Sequence, residues 1–214
     1  MFPRLRPTLA ATAAVIALTA GPILTGPSAG AADASAPANS SSTRALLPPI
    51  GAEVPSSMLA INTPLRIRTS LVTVDFRGGI KQRVDVNPDD PYTSVRLRTI
   101  GFKVSAELPD GGSITFEQSD VDVDAQSRLT VTQQFPPKFQ ERDVIPFTAT
   151  IDMPGQEPLV LEGKEPMVLN ATLTQYPAKG DQYQLERPVD LVSPDNPDTV
   201  VGTLEKFPAK RGGL

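Results

Sequence analysis

Ser94-Val-Arg-Leu-Arg-Thr-Ile-Gly-Phe-Lys-Val-Ser-Ala-Glu-Leu108, then Pro109-Asp110-Gly111-Gly112 and Ser113-Ile-Thr-Phe116, decides the fold of this chain. Apolar and polar residues alternate along the first segment, as in a half-buried strand whose successive side chains point to opposite faces. Pro109 presets its φ, and Gly111 and Gly112 accept the left-handed backbone that ends a short hairpin loop. With Pro109 opposite Ser113, Leu108 faces Ile114 and Ala106 faces Phe116. Beyond that point the apolar residues of the return strand change parity, from Ile114 and Phe116 to Val121 and Val123. One extra residue near Gln118–Asp120, a β-bulge, restores the pattern and brings Val121 and Val123 onto the face of Phe102 and Ile100. A further reversal at Ala125-Gln126-Ser127 adds a third strand carrying Leu129 and Val131.

Working outward, the period stays near two from Leu65 onward. Ile67–Phe76 reads as a strand that Arg77-Gly78-Gly79 turns into Ile80–Val86, with Val72, Val74, Phe76, Ile80, Val84 and Val86 on one face. Phe135-Pro-Pro-Lys-Phe139-Gln-Glu-Arg-Asp143 reads as an irregular crossover, because its prolines interrupt any strand. Phe147, Ala149 and Ile151 alternate, and Met153-Pro154-Gly155-Gln156 has the Pro-Gly centre of a type II turn. Met167–Tyr176 places Met167, Leu169, Ala171 and Leu173 inward, and Tyr183–Leu191 and Val200–Phe207 complete the set. Pro146, Pro158, Pro166 and Pro188 stand near strand starts. The expected fold is all-β: one antiparallel two-sheet sandwich of nine or ten strands, with a closed or partly open barrel as the alternative.

Residues 1–31 read as a signal peptide. Arg4 and Arg6 form a positive amino end, Thr8–Leu24 is apolar, and Ala29-Gly30-Ala31 offers a small-x-small cleavage pattern. Cleavage is expected after Ala31, with Ala34 or a nearby Ala as alternatives. The apolar run is shorter than the roughly 20 residues a membrane span needs. The chain lacks Cys, so a lipobox anchor is excluded, and no Arg pair marks the twin-arginine route. Residues 32–57, rich in Ala, Pro and Ser, read as a disordered leader whose Leu46-Leu47-Pro48-Pro49-Ile50 could dock on the domain. Residues 58–214 form the β domain. The expected destination is extracellular, by the general export route, and the Ala-rich, Cys-free composition suggests a bacterium.

Removing residues 1–31 takes away two Arg and no acids, leaving 18 Lys+Arg against 24 Asp+Glu, a formal charge of −6. Such a balance opposes binding to nucleic acid or anionic lipid. With neither His nor Cys, the Ser-His-Asp and Cys-His arrangements are excluded, as are zinc sites built on imidazole or thiolate. No Ser-x-x-Lys, glycine-rich nucleotide loop or P-loop occurs. A carboxylate pair is the common catalytic device that remains. No cofactor is expected, apart from calcium as a minor candidate at Asp120, Asp122 and Asp124. On a strand these alternate Asp would project from one face as hard oxygen ligands, but Ala125 and Val131 depart from the EF-hand pattern. The bland reading pairs Lys103 with Asp120 and Arg128 with Asp124.

Arg66, Arg68, Lys81, Arg83, Arg96 and Arg98 form a basic belt, within which Arg66, Arg68, Arg96 and Arg98 are the candidate ligand-binding residues. Arg forks fit carboxylate or phosphate groups of an envelope glycan. The bland reading lays the same side chains over the sheet beside Asp75, Asp85 and Glu107. The functional expectation is an exported, non-catalytic module that binds a cell-envelope component, glycan or protein. The alternative is a β-barrel carrier of a small apolar ligand or lipid, for which an apolar cavity of several hundred Å3 would be the mark.

Overall fold

The computed structural model describes residues 42–213. The expected signal peptide, its cleavage site and the first part of the leader lie outside them. Thirteen strands follow one another: β1 (Glu53–Ile67), β2 (Ser70–Val86), β3 (Ser94–Glu107), β4 (Ser113–Gln118), β5 (Arg128–Gln133), β6 (Lys138–Ile145) and β7 (Phe147–Asp152), then β8 (Leu159–Gly163), β9 (Met167–Leu173), β10 (Asp181–Leu185), β11 (Val189–Ser193), β12 (Asn196–Leu204) and β13 (Ala209–Gly213). The all-β antiparallel expectation holds, with thirteen strands in place of nine or ten.

All pairings belong to one sheet, which closes on itself twice. The first circuit runs β1-β2-β3-β4-β7-β8-β11-β12 and returns to β1; the second runs β1-β2-β3-β5-β6-β9-β10-β13 and returns to β1. Each therefore has eight strands, and they share the three longest. The sharing works because β1 and β3 each divide their outer edge. β1 bonds β13 along Ser56–Ala60 and β12 along Leu65–Ile67. β3 bonds β5 along Ser94–Arg96 and β4 along Lys103–Glu107. Hydrogen bonding is continuous around each circuit, which removes the exposed edges that an open sheet must protect.

Long shared strands must bend, and the sequence supplies the means. Gly78 and Gly79 do not turn the chain: β2 continues through them. A Cβ on Gly78 would lie 2.0 Å from the Lys103 carbonyl oxygen, so these glycines serve close approach between backbones. The turn into β2 is Arg68-Thr69, with Arg68 at φ 53°. That reversal carries no Gly, Pro or Asn and gave no signal.

The hairpin after β3 is correct in loop and face but shifted in register. Gly111 takes φ 85°, and Leu108 N–H donates to the Gly112 carbonyl at 2.8 Å. Ala106 then pairs with Ile114, and Val104 with Phe116. The shift is even, so the same side chains stay inward. The bulge expected near Gln118–Asp120 is not there. β4 ends at Gln118, and the parity correction occurs earlier, in β3, where Lys81 pairs with Gly101 but Gln82 with Thr99. Ile100 is the extra residue and is 40% exposed. Val121, 60% exposed, sits in the loop that follows β4 and joins no face.

Other corrections have equally local causes. The expected crossover at 135–143 is a hairpin: the prolines occupy the turn, and β6 starts at Lys138, pairing with β5 and β9. Tyr183–Leu191 is divided at Pro188 into β10 and β11. The domain also begins before Met58, because β1 starts at Glu53 and Leu47 is buried in the core. The Pro-Gly turn is as read, with Gly155 at φ 75° and Gln156 N–H donating to Met153 O at 3.1 Å. Pro146, Pro158, Pro166 and Pro188 each immediately precede a strand, where a missing N–H interrupts no ladder.

The two interiors differ. In the first, Phe76 stacks on Phe116 with ring centres 4.5 Å apart, while Phe147 and Phe207 tilt against that pair at 5.0 and 5.7 Å. Leu65, Ile114, Leu161 and Leu191 fill the remainder. The second has an apolar shell of Leu97, Leu129, Phe139, Ile145, Met167 and Leu169 around a polar centre.

Candidate functional site

Within the second circuit, β6 alternates Phe139, Glu141, Asp143 and Ile145 inward, so two acids enter the core as neighbours on one face. Both are 0% exposed. Arg211 of β13 reaches them from the opposite wall and is itself 2% exposed. Its Nη1 donates to Glu141 Oε1 at 2.8 Å and to Asp143 Oδ2 at 2.5 Å, and its Nη2 donates to Gln82 Oε1 at 2.7 Å. Gln82 Nε2 then donates to Asp143 Oδ1 at 2.7 Å, and the Tyr183 hydroxyl donates to Glu141 Oε2 at 2.6 Å. The Arg211 guanidinium also lies 4.6 Å from the centre of the Tyr183 ring. All four carboxylate oxygens thus accept a hydrogen bond inside the core. Arg211 Nε and the Tyr176 hydroxyl are the two atoms at this centre without a hydrogen-bond partner.

Two acids facing one cation leave an excess negative charge in a dry interior. Burial, reinforced by the neighbouring Glu141 charge, pushes the Asp143 carboxyl up to about 7, although Arg211 and Gln82 oppose the shift. Burial works against the Arg211 charge, but the two carboxylates outweigh it and hold the guanidinium above its ordinary range. The Tyr183 hydroxyl is pushed up by burial and by Glu141, so it remains a donor.

The outer wall carries a different arrangement. Arg96 on β3 pairs in register with Arg128 on β5, which pairs with Arg142 on β6. Residues directly opposite in a sheet share a face, and like charges there destabilise it. All three line an open cleft of about 480 Å3, together with Asn87, Asp89, Asp90, Ser94, Gln126 and Thr130. The outer two arginines are tethered: Arg96 to Asp89 at 3.2 Å, and Arg142 to Glu186 at 3.6 Å. Asp90 is occupied by Thr93, which hydrogen-bonds its carboxylate from both backbone and side chain. Arg128 is exposed and makes none of the ion pairs found among the described residues. Arg96 Nε is buried without an acceptor.

The basic belt of the sequence is therefore divided. Arg66 pairs with Glu205 at 3.1 Å, and Arg68 sits at the β1–β2 turn. Arg98 is held between Asp85 and Asp124 at 3.1 and 3.0 Å. Lys81 bonds Glu53, and Arg83 lies 3.6 Å from Asp85. Arg66 and Arg68 stand at the opposite end of β2 from Arg96 and Arg98, because β2 pairs Leu71 with Arg66 but Asp85 with Arg96. Of the four candidates, Arg96 lines the cleft.

Asp120, Asp122 and Asp124 do not share a strand face, since they occupy the loop between β4 and β5. Asp122 Oδ1 accepts from the Asp124 N–H at 3.2 Å, an Asx turn, and Asp124 goes to Arg98 rather than Arg128. Lys103 pairs with Glu117 in place of Asp120. Among the described residues no group of three or more carboxylates is placed to hold a metal ion.

No protein-family model matches the chain, and no curated protein matches it. Among solved structures, the protein DynF from the dynemicin biosynthesis pathway of Micromonospora chersina superposes with a TM-score of 0.62 over 79% of this chain and 83% of that one. The two share a fold. Identity to DynF is 19%, so the likeness is one of fold alone.

Proposed function

We propose that this protein is an exported, non-catalytic β module that binds a component of the cell envelope through the outer wall formed by β3, β5 and β6. One observation supports this reading above others: its buried acids are sealed while the arginines of this wall line an open cleft. Glu141 and Asp143 have no solvent contact and every oxygen engaged, so neither is presented to a substrate as acid or base. Arg96, Arg128 and Arg142 instead line a cleft that a ligand can enter. Export rests on the Arg4–Ala31 pattern in the sequence. The test is co-sedimentation of the protein lacking residues 1–31 with isolated bacterial cell walls at low ionic strength. It is expected to pellet with the walls, to be released by salt as screening grows, and to liberate no soluble sugar. Protein left in the supernatant, or sugar released over time, would refute the proposal.

A second reading, an apolar-ligand carrier, is favoured by the cleft of about 580 Å3 at one end of the first circuit, whose lining includes Ile67, Val72, Leu108, Ile151, Met153 and Leu159. Saturable uptake of a neutral apolar dye, lost in Met153→Glu, would support it; no uptake would discard it.

A further inference from the structure

We infer that Arg96, Arg128 and Arg142 form a site for a ligand bearing several oxyanions, phosphate or carboxylate, spaced along an extended chain. This deepens the module reading and rests on it. The argument begins with register. Three neighbouring strands, about 4.8 Å apart, each carry an arginine at the same level. A sheet selected for stability alone would put opposite charges across from one another, since like charges at directly opposed positions weaken the pairing. Here the row runs Asp85, Arg96, Arg128, Arg142, Asn170, Gln184, with one acid, Asp85, at its end; two more, Asp89 and Glu186, reach Arg96 and Arg142 from outside it.

Those acids orient more than they neutralise. Asp89 holds Arg96 from the β2–β3 loop, and Glu186 holds Arg142 from beyond β10, where Asn170 Nδ2 also donates to Glu186 at 2.8 Å. Each outer arginine is restrained by one partner and retains other donors. Among the described residues, Arg128, between them, has no such partner, and the buried Nε–H of Arg96 has no acceptor. The cleft continues past Arg128 and Arg142 into a second hollow of about 370 Å3 lined by Thr132, Gln140, Asn170 and Glu186. Thr130, Ser94 and Asn87 also line the cleft, Asn87 Nδ2 donating to Ser94 Oγ at 2.7 Å and Ser94 Oγ to the Asp90 carbonyl at 2.9 Å. A planar fork of donors matches phosphate and carboxylate oxygens in pairs. Three forks across two strand spacings, about 10 Å, suit a ligand with two or three anionic groups better than a single ion.

Inorganic tripolyphosphate and trigalacturonate serve as probes, one for each oxyanion, titrated calorimetrically into the protein lacking residues 1–31 at low salt. At least one should bind saturably at one site. Arg128→Gln should weaken that binding about tenfold or more, as expected when a charge-assisted contact is lost. Arg66→Gln, outside the cleft, should leave it unchanged. Because Arg128 is exposed and unpaired, its variant should keep or slightly raise the melting temperature, which separates loss of binding from loss of folding. No binding of either probe, or equal weakening by Arg66→Gln and Arg128→Gln, overturns the site. Wall co-sedimentation that persists in Arg128→Gln would overturn this site while leaving the module reading intact.

Discussion

Replacing Arg211 with Met keeps an unbranched apolar stem while removing the guanidinium and its charge. In the native core its two terminal nitrogens serve Glu141, Asp143 and Gln82, and all of these partners are buried. Arg211→Met leaves two acids in an apolar shell with no cation. Breaking a buried pair in this way costs about 3–5 kcal/mol. For a domain of this size that corresponds to a melting temperature lower by roughly 6–20 °C. The cost must depend on pH. Folding already holds a proton on Asp143 up to about 7 against an ordinary value of 3.8. A raised acid favours the folded state most below the unfolded value, and that contribution disappears as pH rises through the folded one. Wild-type stability therefore falls between about pH 4 and 7 from this group. Without Arg211, which opposes the shift, the window extends upward. Urea unfolding followed by far-UV circular dichroism at pH 5 and pH 8 reads both effects: the deficit of Arg211→Met should be larger at pH 8. A variant replacing all three charges, Arg211→Met with Glu141→Leu and Asp143→Leu, should recover most of the loss, because well-packed apolar groups can replace a buried ionic set. If Arg211→Met lies within about 1 kcal/mol of wild type at both pH values, the account of two buried acids held by one cation is wrong.

Gly78→Ala should cost several kcal/mol or abolish folding, since its Cβ would meet the Lys103 carbonyl, whereas Gly101→Ala, with Lys81 Cβ at 3.9 Å, should be tolerated; soluble yield and thermal melts separate the two. Phe116→Ala removes the centre of the ring stack and should destabilise by about 3–5 kcal/mol in the same unfolding assay. Asp122→Asn should leave stability within about 0.5 kcal/mol, and millimolar calcium should shift the melting temperature of neither form, as scanning calorimetry can verify.

Much of this architecture could be read from alternation, because period two is a property of single strands. Phe147, Ala149 and Ile151, and Met167, Leu169, Ala171 and Leu173, face inward as their spacing requires. What alternation does not carry is the partner. Which strand takes the second edge of β4, here β7, depends on contacts distant in sequence, and the change of parity at Ile100 could be placed on either strand of the hairpin. Gly78-Gly79 has the composition of a turn, yet it answers to a carbonyl on a neighbouring strand. The polar centre had a local signal, since Glu141 and Asp143 share parity with Phe139 and Ile145, but Pro136 and Pro137 made the segment look irregular. Arg128 and Arg142 were visible only as charges until strand pairing set them beside Arg96.

The double closure has a further meaning for how the molecule assembles. β1 emerges before every other strand yet receives its outer neighbours from β12 and β13, which come after all the rest. Neither ring can be sealed until nearly the whole chain is present, so the search for these distant contacts should make folding slow. For a polypeptide threaded outward through a narrow pore, such an order would keep it loose during passage and let it lock only on the far side.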